Sequence, residues 1–249
     1  MWVRRPAGLP LVLGHRGASA VAAENSVEAF RRAAQDGADG VELDVLCCAT
    51  GEVVVFHDDD LVRLGGRPER IADLPFGAIR EIRLTSGAFI PTLEEAFEAC
   101  GSRMLVNVEL KAAAGVWGGP LGALVDRVAA IVERTRTAPR VLVSSFHPRA
   151  IHLWKRRAPD VRAGLLFERE ASLPMRRAWA APLLQPFALH PEFILCGPHR
   201  VADWHARGYM VNVWTVDDPV ALRAAAAMEI DGIITNDPAR ARAILDAGE

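Results

Sequence analysis

Residues Gly40–Asp58 read GVELDVLCCATGEVVVFHD, an apolar run interrupted by two carboxylates, Glu42 and Asp44. A strand alternates sides with period two, so these acids share one face while Val41, Leu43 and Val45 share the other. Two acids turned toward a crowded interior repel each other and lose hydration unless a positive charge sits between them. The pattern therefore predicts a bound cation. The chain then turns at Thr50-Gly51-Glu52 and returns through Val53–Phe56 to His57-Asp58, as a hairpin would. That return brings a proton-transferring group back toward the acids.

Outward from this stretch, strands and helices alternate. Leu9–Gly14 reads as a strand ending in His15-Arg16-Gly17, followed by a helix over Val27–Asp36. Asp59 to Ile90 breaks the rhythm with Gly65-Gly66, Pro68 and Pro75, and reads as an irregular inserted segment. Thr92 and Glu95 form a capping box before a helix over Leu93–Ala99. Further strands are predicted at Met104–Lys111, Val141–Phe146, Ala163–Phe167, Ala188–His190, Val211–Val216 and Gly232–Thr235. Helices lie between them, including Leu121–Arg134 after a Gly-rich loop and one helix around Met175–Leu184. About eight strand–helix units, with strands apolar on both faces, predict an α/β fold closed as a TIM (β/α)8 barrel. The expected organisation is a single domain over residues 1–249, with residues 59–90 inserted. An open doubly wound sheet is less favoured, because no Gly-rich dinucleotide turn follows the first strand.

Composition narrows the partners. A hydrophobic fraction of 51% supplies a core, and a net charge of −2 points away from nucleic acid and anionic membranes. No apolar run approaches the roughly 20 residues that span a bilayer. Leu9–Leu13 is too short for a secretory signal. Cys47, Cys48, Cys100 and Cys196 lack metal or redox spacing and read as reduced packing residues, which suits a soluble protein of the cytoplasm. Nothing in the sequence reports an oligomeric state.

In such a barrel, functional residues gather at the C-terminal ends of the strands. Polar residues recur there: His15-Arg16, Glu42 and Asp44, Asn107-Glu109-Lys111, Ser144-Ser145-Phe146-His147, Asn212-Val213-Trp214 and Thr235-Asn236. Glu42, Asp44 and Glu109 make a hard, all-oxygen site suited to Mg²⁺ or Ca²⁺; the bland alternative pairs each acid with an arginine or lysine. Arg16 and Lys111 are the cations expected in the mouth, where a phosphate would bridge them to the metal. Taken singly, either is an ordinary ion-pair partner. His15 and His57 form a pair suited to general acid–base work near neutral pH. Trp214 lines the substrate site or belongs to the core. His147 stays open, while His152, His190, His199 and His205 read as structural.

The run His15-Arg16-Gly17, Glu24-Asn25-Ser26, Glu42-Leu43-Asp44, His57-Asp58, Glu109-Leu110-Lys111 and Trp214-Thr215-Val216 resembles the glycerophosphodiester phosphodiesterase family, in family order over nearly the whole chain. The resemblance implies a TIM barrel with a small insertion, a divalent metal, and hydrolysis of glycerophosphodiesters to glycerol 3-phosphate and an alcohol. It assigns Glu42, Asp44 and Glu109 as metal ligands and His15 and His57 as the acid–base pair. Arg16 and Lys111 would contact phosphate, and Trp214 the substrate. Two departures stand out. The family's PENT reads Ala23-Glu24-Asn25-Ser26, and its arginine-threonine-threonine after the His-Asp element reads Arg63-Leu64-Gly65. The insertion overhangs the site, so the second departure bears on substrate preference. Alternatives are a lysophospholipase D-type activity, a barrel glycosidase and a non-catalytic phosphoester-binding barrel.

Overall fold

The computed structural model describes residues 2–5, 8–111 and 119–247. Among these, nine strands form one sheet: β1 (Leu11–His15), β2 (Gly40–Cys47), β3 (Val53–Val55), β4 (Leu105–Leu110), β5 (Val141–Ser145), β6 (Arg162–Phe167), β7 (Ala188–Pro191), β8 (Met210–Val213) and β9 (Gly232–Thr235). All but β3 are parallel, and β1 pairs with both β9 and β2, which closes an eight-stranded ring. Helices follow the strands: α1 (Val27–Gln35), α2 (Val62–Gly65), α3 (Phe76–Glu81), α4 (Leu93–Cys100), α5 (Gly119–Arg134), α6 (Pro148–Arg157), α7 (Leu173–Arg176), α8 (Ala181–Leu184), α9 (Pro198–Ala206), α10 (Pro219–Ala227) and α11 (Pro238–Asp246). This is the TIM barrel. Among the described residues no helix is long and apolar enough to cross a membrane.

Local chemistry sets the helix starts. Ser26 caps α1 by accepting from the Ala29 amide, and Thr92 with Glu95 caps α4 reciprocally. Asp218 and Asp237 cap α10 and α11, each just ahead of a proline in the first turn. One strand face, carrying Val41, Leu43, Val45, Val106, Val108, Val141 and Val143, packs into the main core. The alternate positions point into the barrel. There Trp2, Leu11, Leu13, Leu105, Leu142, Ala188 and Ile234 make an apolar plug. Burying each large side chain contributes about 1.5–3 kcal/mol. Register sets Asn107 beside Glu42, and Glu109 beside both Asp44 and Ser144. The barrel interior therefore turns polar toward its mouth.

The β2–β3 hairpin is antiparallel, with Leu46 opposite Val54. On the face continuing from Glu42 and Asp44, Leu46 and Cys48 leave the barrel and meet Val54, Phe56, Leu61, Ile71, Ile79, Ile82, Leu84 and Ile90. The segment after His57 is thus not irregular, as its glycines and prolines suggested. It folds as α2, a 3₁₀ turn at Ile71–Asp73 and α3 over a core of its own.

Two other expectations are corrected. The single helix around Met175–Leu184 is two short ones, because Ala178 takes a left-handed φ of 52° and Pro182 lies in the first turn of α8. β8 stops at Val213 rather than Val216, since Trp214 makes only an isolated bridge to Glu192. The Gly-rich loop before α5 lies largely outside the described residues.

Candidate functional site

Arg16 follows β1 with φ 55°, a left-handed conformation that an L-residue holds only under constraint. The turn aims its amide at Glu42 Oε2 (3.2 Å) and its Nη1 at Glu24 Oε1 (2.8 Å). Its Nε lies 3.3 Å from Asp44 Oδ2 without forming a hydrogen bond. The next residue must be Gly17: its φ is 86°, and a Cβ there would overlap the Ala29 backbone. Asn25, also left-handed, donates from Nδ2 to Asp44 Oδ2 at 2.9 Å.

Glu42, Asp44 and Glu109 are buried, and each offers an oxygen within 4.8 Å of the others. Lys111 Nζ lies 3.1 Å from Glu109 Oε1 and 3.6 Å from Asp44 Oδ1. The two cations expected to face a phosphate therefore also pair with the acids, so the bland alternative is partly met. Glu42 is the exception: its near neighbours are the Arg16 amide and His15 Nε2, the latter at 4.0 Å. Three carboxylates against two cations leave an excess of buried negative charge. Burial, then repulsion from Asp44, pushes the Glu109 carboxyl up to about 7 despite Lys111. Burial with the charges of Asp44 and Glu109 drives Glu42 well above its usual range. This donor set fits a hard divalent cation, whose charge would restore the ionised carboxylates.

The histidines are each held at Nδ1. Asp217 accepts from Asn236 Nδ2 (2.6 Å) and from its amide (2.8 Å). Asn236 therefore presents Oδ1 to His15 Nδ1, at 2.7 Å. The proton sits on Nδ1, and Nε2 is the free nitrogen on the side of Glu42. Burial, then the charge of Arg16, lowers the His15 pKa and favours the neutral ring. His57 Nδ1 lies 2.6 Å from Asp58 Oδ1, and Asp58 in turn accepts from Arg63.

His15, Arg16, Glu42, His57, Glu109, Lys111 and Trp214 line one pocket of about 350 Å³ at the C-terminal mouth, completed by Phe146, Leu166, Glu168 and Ile234. Asp44 does not line the pocket: it is 1% exposed and paired with two residues that do, Arg16 and Lys111. Trp214 is fixed as a wall, with Nε1 donating to His190 O (2.8 Å) and its ring edge-on to Phe146. All eight predicted residues thus converge. His147 does not join them; it caps α6, accepting from the Arg149 amide. It borders a second cavity of about 500 Å³, whose apolar lining is Leu110, Phe146, Pro148 and Met175 and which shares Glu109, Lys111 and Phe146 with the first. A larger surface cavity of about 570 Å³, between α1 and the inserted segment, contains none of the predicted residues.

Sequence reasoning missed Glu168, Asn25, Asp217 and Arg63 as members or supports of the site. Glu168 follows β6 directly, so the strand-end rule would have found it. Asn25 and Arg63 stand in quoted motif elements, but their support roles, like that of Asp217, rest on side-chain hydrogen bonds that spacing alone does not reveal.

The model of the Glycerophosphoryl diester phosphodiesterase family matches residues 15–240. A glycerophosphodiester phosphodiesterase of Caldanaerobacter subterraneus subsp. tengcongensis is 31% identical over 236 residues, covering 92% of this chain and 94% of that one. Among solved structures, a glycerophosphodiester phosphodiesterase of Thermotoga maritima matches with TM-score 0.74 at 31% identity, over 93% of this chain and 96% of its own. An Oleispira antarctica phosphodiesterase, solved in complex with the product sn-glycerol-3-phosphate, matches with TM-score 0.84 at 25% identity, over 96% and 98%. The chain belongs to the glycerophosphoryl diester phosphodiesterase family and is an enzyme of that class, a phosphoric diester hydrolase.

Proposed function

We propose that the chain hydrolyses glycerophosphodiesters to glycerol 3-phosphate and an alcohol, by metal-assisted acid–base catalysis between His15 and His57. One observation carries this reading: two histidines, each oriented through Nδ1, line the same pocket as a buried carboxylate triad and two cations. Glu42, Asp44 and Glu109 would hold Mg²⁺ or Ca²⁺, which when bound neutralises phosphate charge and orients the diester.

The remaining steps belong to the side chains. Arg16 and Lys111 line the pocket and stabilise charge on the phosphate oxygens. His15 Nε2, on the neutral ring, removes the proton from the nucleophile, the free glycerol hydroxyl of the substrate itself. That oxygen bonds to phosphorus as the bond to the alcohol breaks, giving a cyclic phosphate. His57 Nε2 delivers the proton to the leaving oxygen. Water then opens the ring, with the roles of the two histidines exchanged. Trp214 and Phe146 wall the glycerol part. The four cysteines are free, which fits the reducing cytoplasm we propose as the setting.

A second reading, lysophospholipase D-type cleavage, draws support from the apolar cavity along Leu110, Phe146, Pro148 and Met175, which suits an acyl chain. Product analysis tests both. Glycerophosphodiesters and lysophospholipids are incubated with the protein and Mg²⁺ or Ca²⁺. Glycerol 3-phosphate, or its acylated form, supports the corresponding reading; a phosphorylated head group would overturn both.

A further inference from the structure

Arg63 lies on α2, in the inserted segment, at the point where the sequence departs from the family's arginine-threonine-threonine. Both edges of its guanidinium are engaged. Nη1 and Nη2 donate to Glu24 at 2.8 and 2.7 Å, while Nε and Nη2 donate to Asp58 at 2.7 and 3.2 Å. Each carboxylate is also tied to a pocket residue: Glu24 accepts from Arg16 Nη1, and Asp58 holds His57 Nδ1. An unbroken chain therefore runs from Asp44 past Arg16, Glu24, Arg63 and Asp58 to His57. Burial opposes ionisation of Glu24, yet the hydrogen bonds from Arg63 and the charge of Arg16 hold its carboxyl down to about 2.

We infer that Arg63 is a positioning residue, which acts through Asp58 to fix the His57 ring against the barrel mouth. The inference rests on the reading of His57 as the acid. His57 stands just past β3, where the last backbone bond to β2 is from the Phe56 amide to Asp44 O, so pairing sets its backbone but not the orientation of its ring. Arg63 clamps the hairpin end to the Glu24 loop, which the barrel does hold. A lone ion pair at 46% side-chain exposure is worth little, but a planar fork that satisfies two carboxylates at once fixes geometry as well. Lysine offers no such fork. Misplacing a catalytic group by about 1 Å costs on the order of 10²-fold in rate.

The test is a double-mutant cycle on kcat between Arg63→Ala and Asp58→Asn, run on the metal-loaded enzyme with glycerophosphocholine. Arg63→Ala should lower kcat about 10- to 100-fold, leave KM within about threefold, and cause little further loss in the Asp58→Asn background. Arg63→Lys should recover only part of the rate. Should Arg63→Ala fail to fold, Arg63→Lys against Asp58→Asn gives the same cycle. Unchanged kcat in Arg63→Ala, or losses that multiply independently, would overturn the inference. His57→Ala serves as the control: if it keeps full turnover, the reading of His57 fails and not merely that of Arg63.

Discussion

His15 and His57 line one pocket, yet different parts of the fold hold them. His15 ends a strand of the closed ring and is oriented by Asn236, itself doubly bonded to Asp217 after β8. His57 ends an added hairpin and is oriented by Asp58 and Arg63, with the Arg63 side chain 46% exposed. One support is an amide at a strand end, pinned by Asp217 from the neighbouring strand end; the other is a set of charges reaching across from the inserted segment. On the proposed roles, the barrel carries the three carboxylates and the base, and the added hairpin delivers the acid. On those roles, a change at the hairpin end should alter turnover before it alters metal affinity.

The largest expected effect falls on the delivered half. His57→Ala should reduce turnover by about 10²- to 10⁴-fold while calorimetry finds metal affinity unchanged. Glu42→Ala, by contrast, should lose both. Loss of metal binding in His57→Ala would mean that the halves are not separable.

On the barrel half, Asn236→Ala should free the His15 ring and lower kcat about 10- to 100-fold with KM nearly constant, in steady-state assays. A wild-type rate would show that His15 needs no fixed tautomer.

The barrel half should also carry a pH signature in stability. His190, on β7 beside Asn212 of β8, is fully buried, and burial lowers its pKa from 6.5 to about 3. Between those values the unfolded chain binds a proton that the folded chain does not. Its stabilisation is complete above pH 6.5 and is lost as pH falls, by about 2 kcal/mol at pH 5. His190→Gln should flatten that part of the pH dependence of the urea midpoint. An unaltered slope would place the acid sensitivity elsewhere.

The smallest effect concerns the cation. With Glu109 pushed up to about 7, protons compete for the site. Ca²⁺ affinity should drop at least about tenfold per pH unit below 7, because Glu42 is raised as well. Titration calorimetry across that range would reveal it, and a flat profile would remove Glu109 from the ligands.

Much of this was legible in the sequence. Period-two alternation put Glu42 and Asp44 on one face, and the same alternation carried Asn107 and Glu109 inward on β4. Strand ends then located His15, Lys111 and Trp214. The inserted segment was not legible, because Leu61, Ile71, Ile79, Ile82, Leu84 and Ile90 follow neither helical nor strand period. Their shared core exists only once the hairpin projects Leu46, Val54 and Phe56 beyond the ring. The supports at Asp217 and Arg63 were hidden for a related reason: their partners, Asn236 and Glu24, lie 19 and 39 residues away, and meet them only once neighbouring strands are paired side by side.

The central claim, that the triad and the two histidines together hydrolyse glycerophosphodiesters, is tested most directly by release of glycerol 3-phosphate from glycerophosphocholine. The protein is stripped with EDTA, assayed, and assayed again after Mg²⁺ or Ca²⁺ is restored. The expected result is no release from the stripped protein, recovery with metal, and no recovery in Glu42→Ala. Undiminished release in EDTA, or full recovery in Glu42→Ala, would contradict the account.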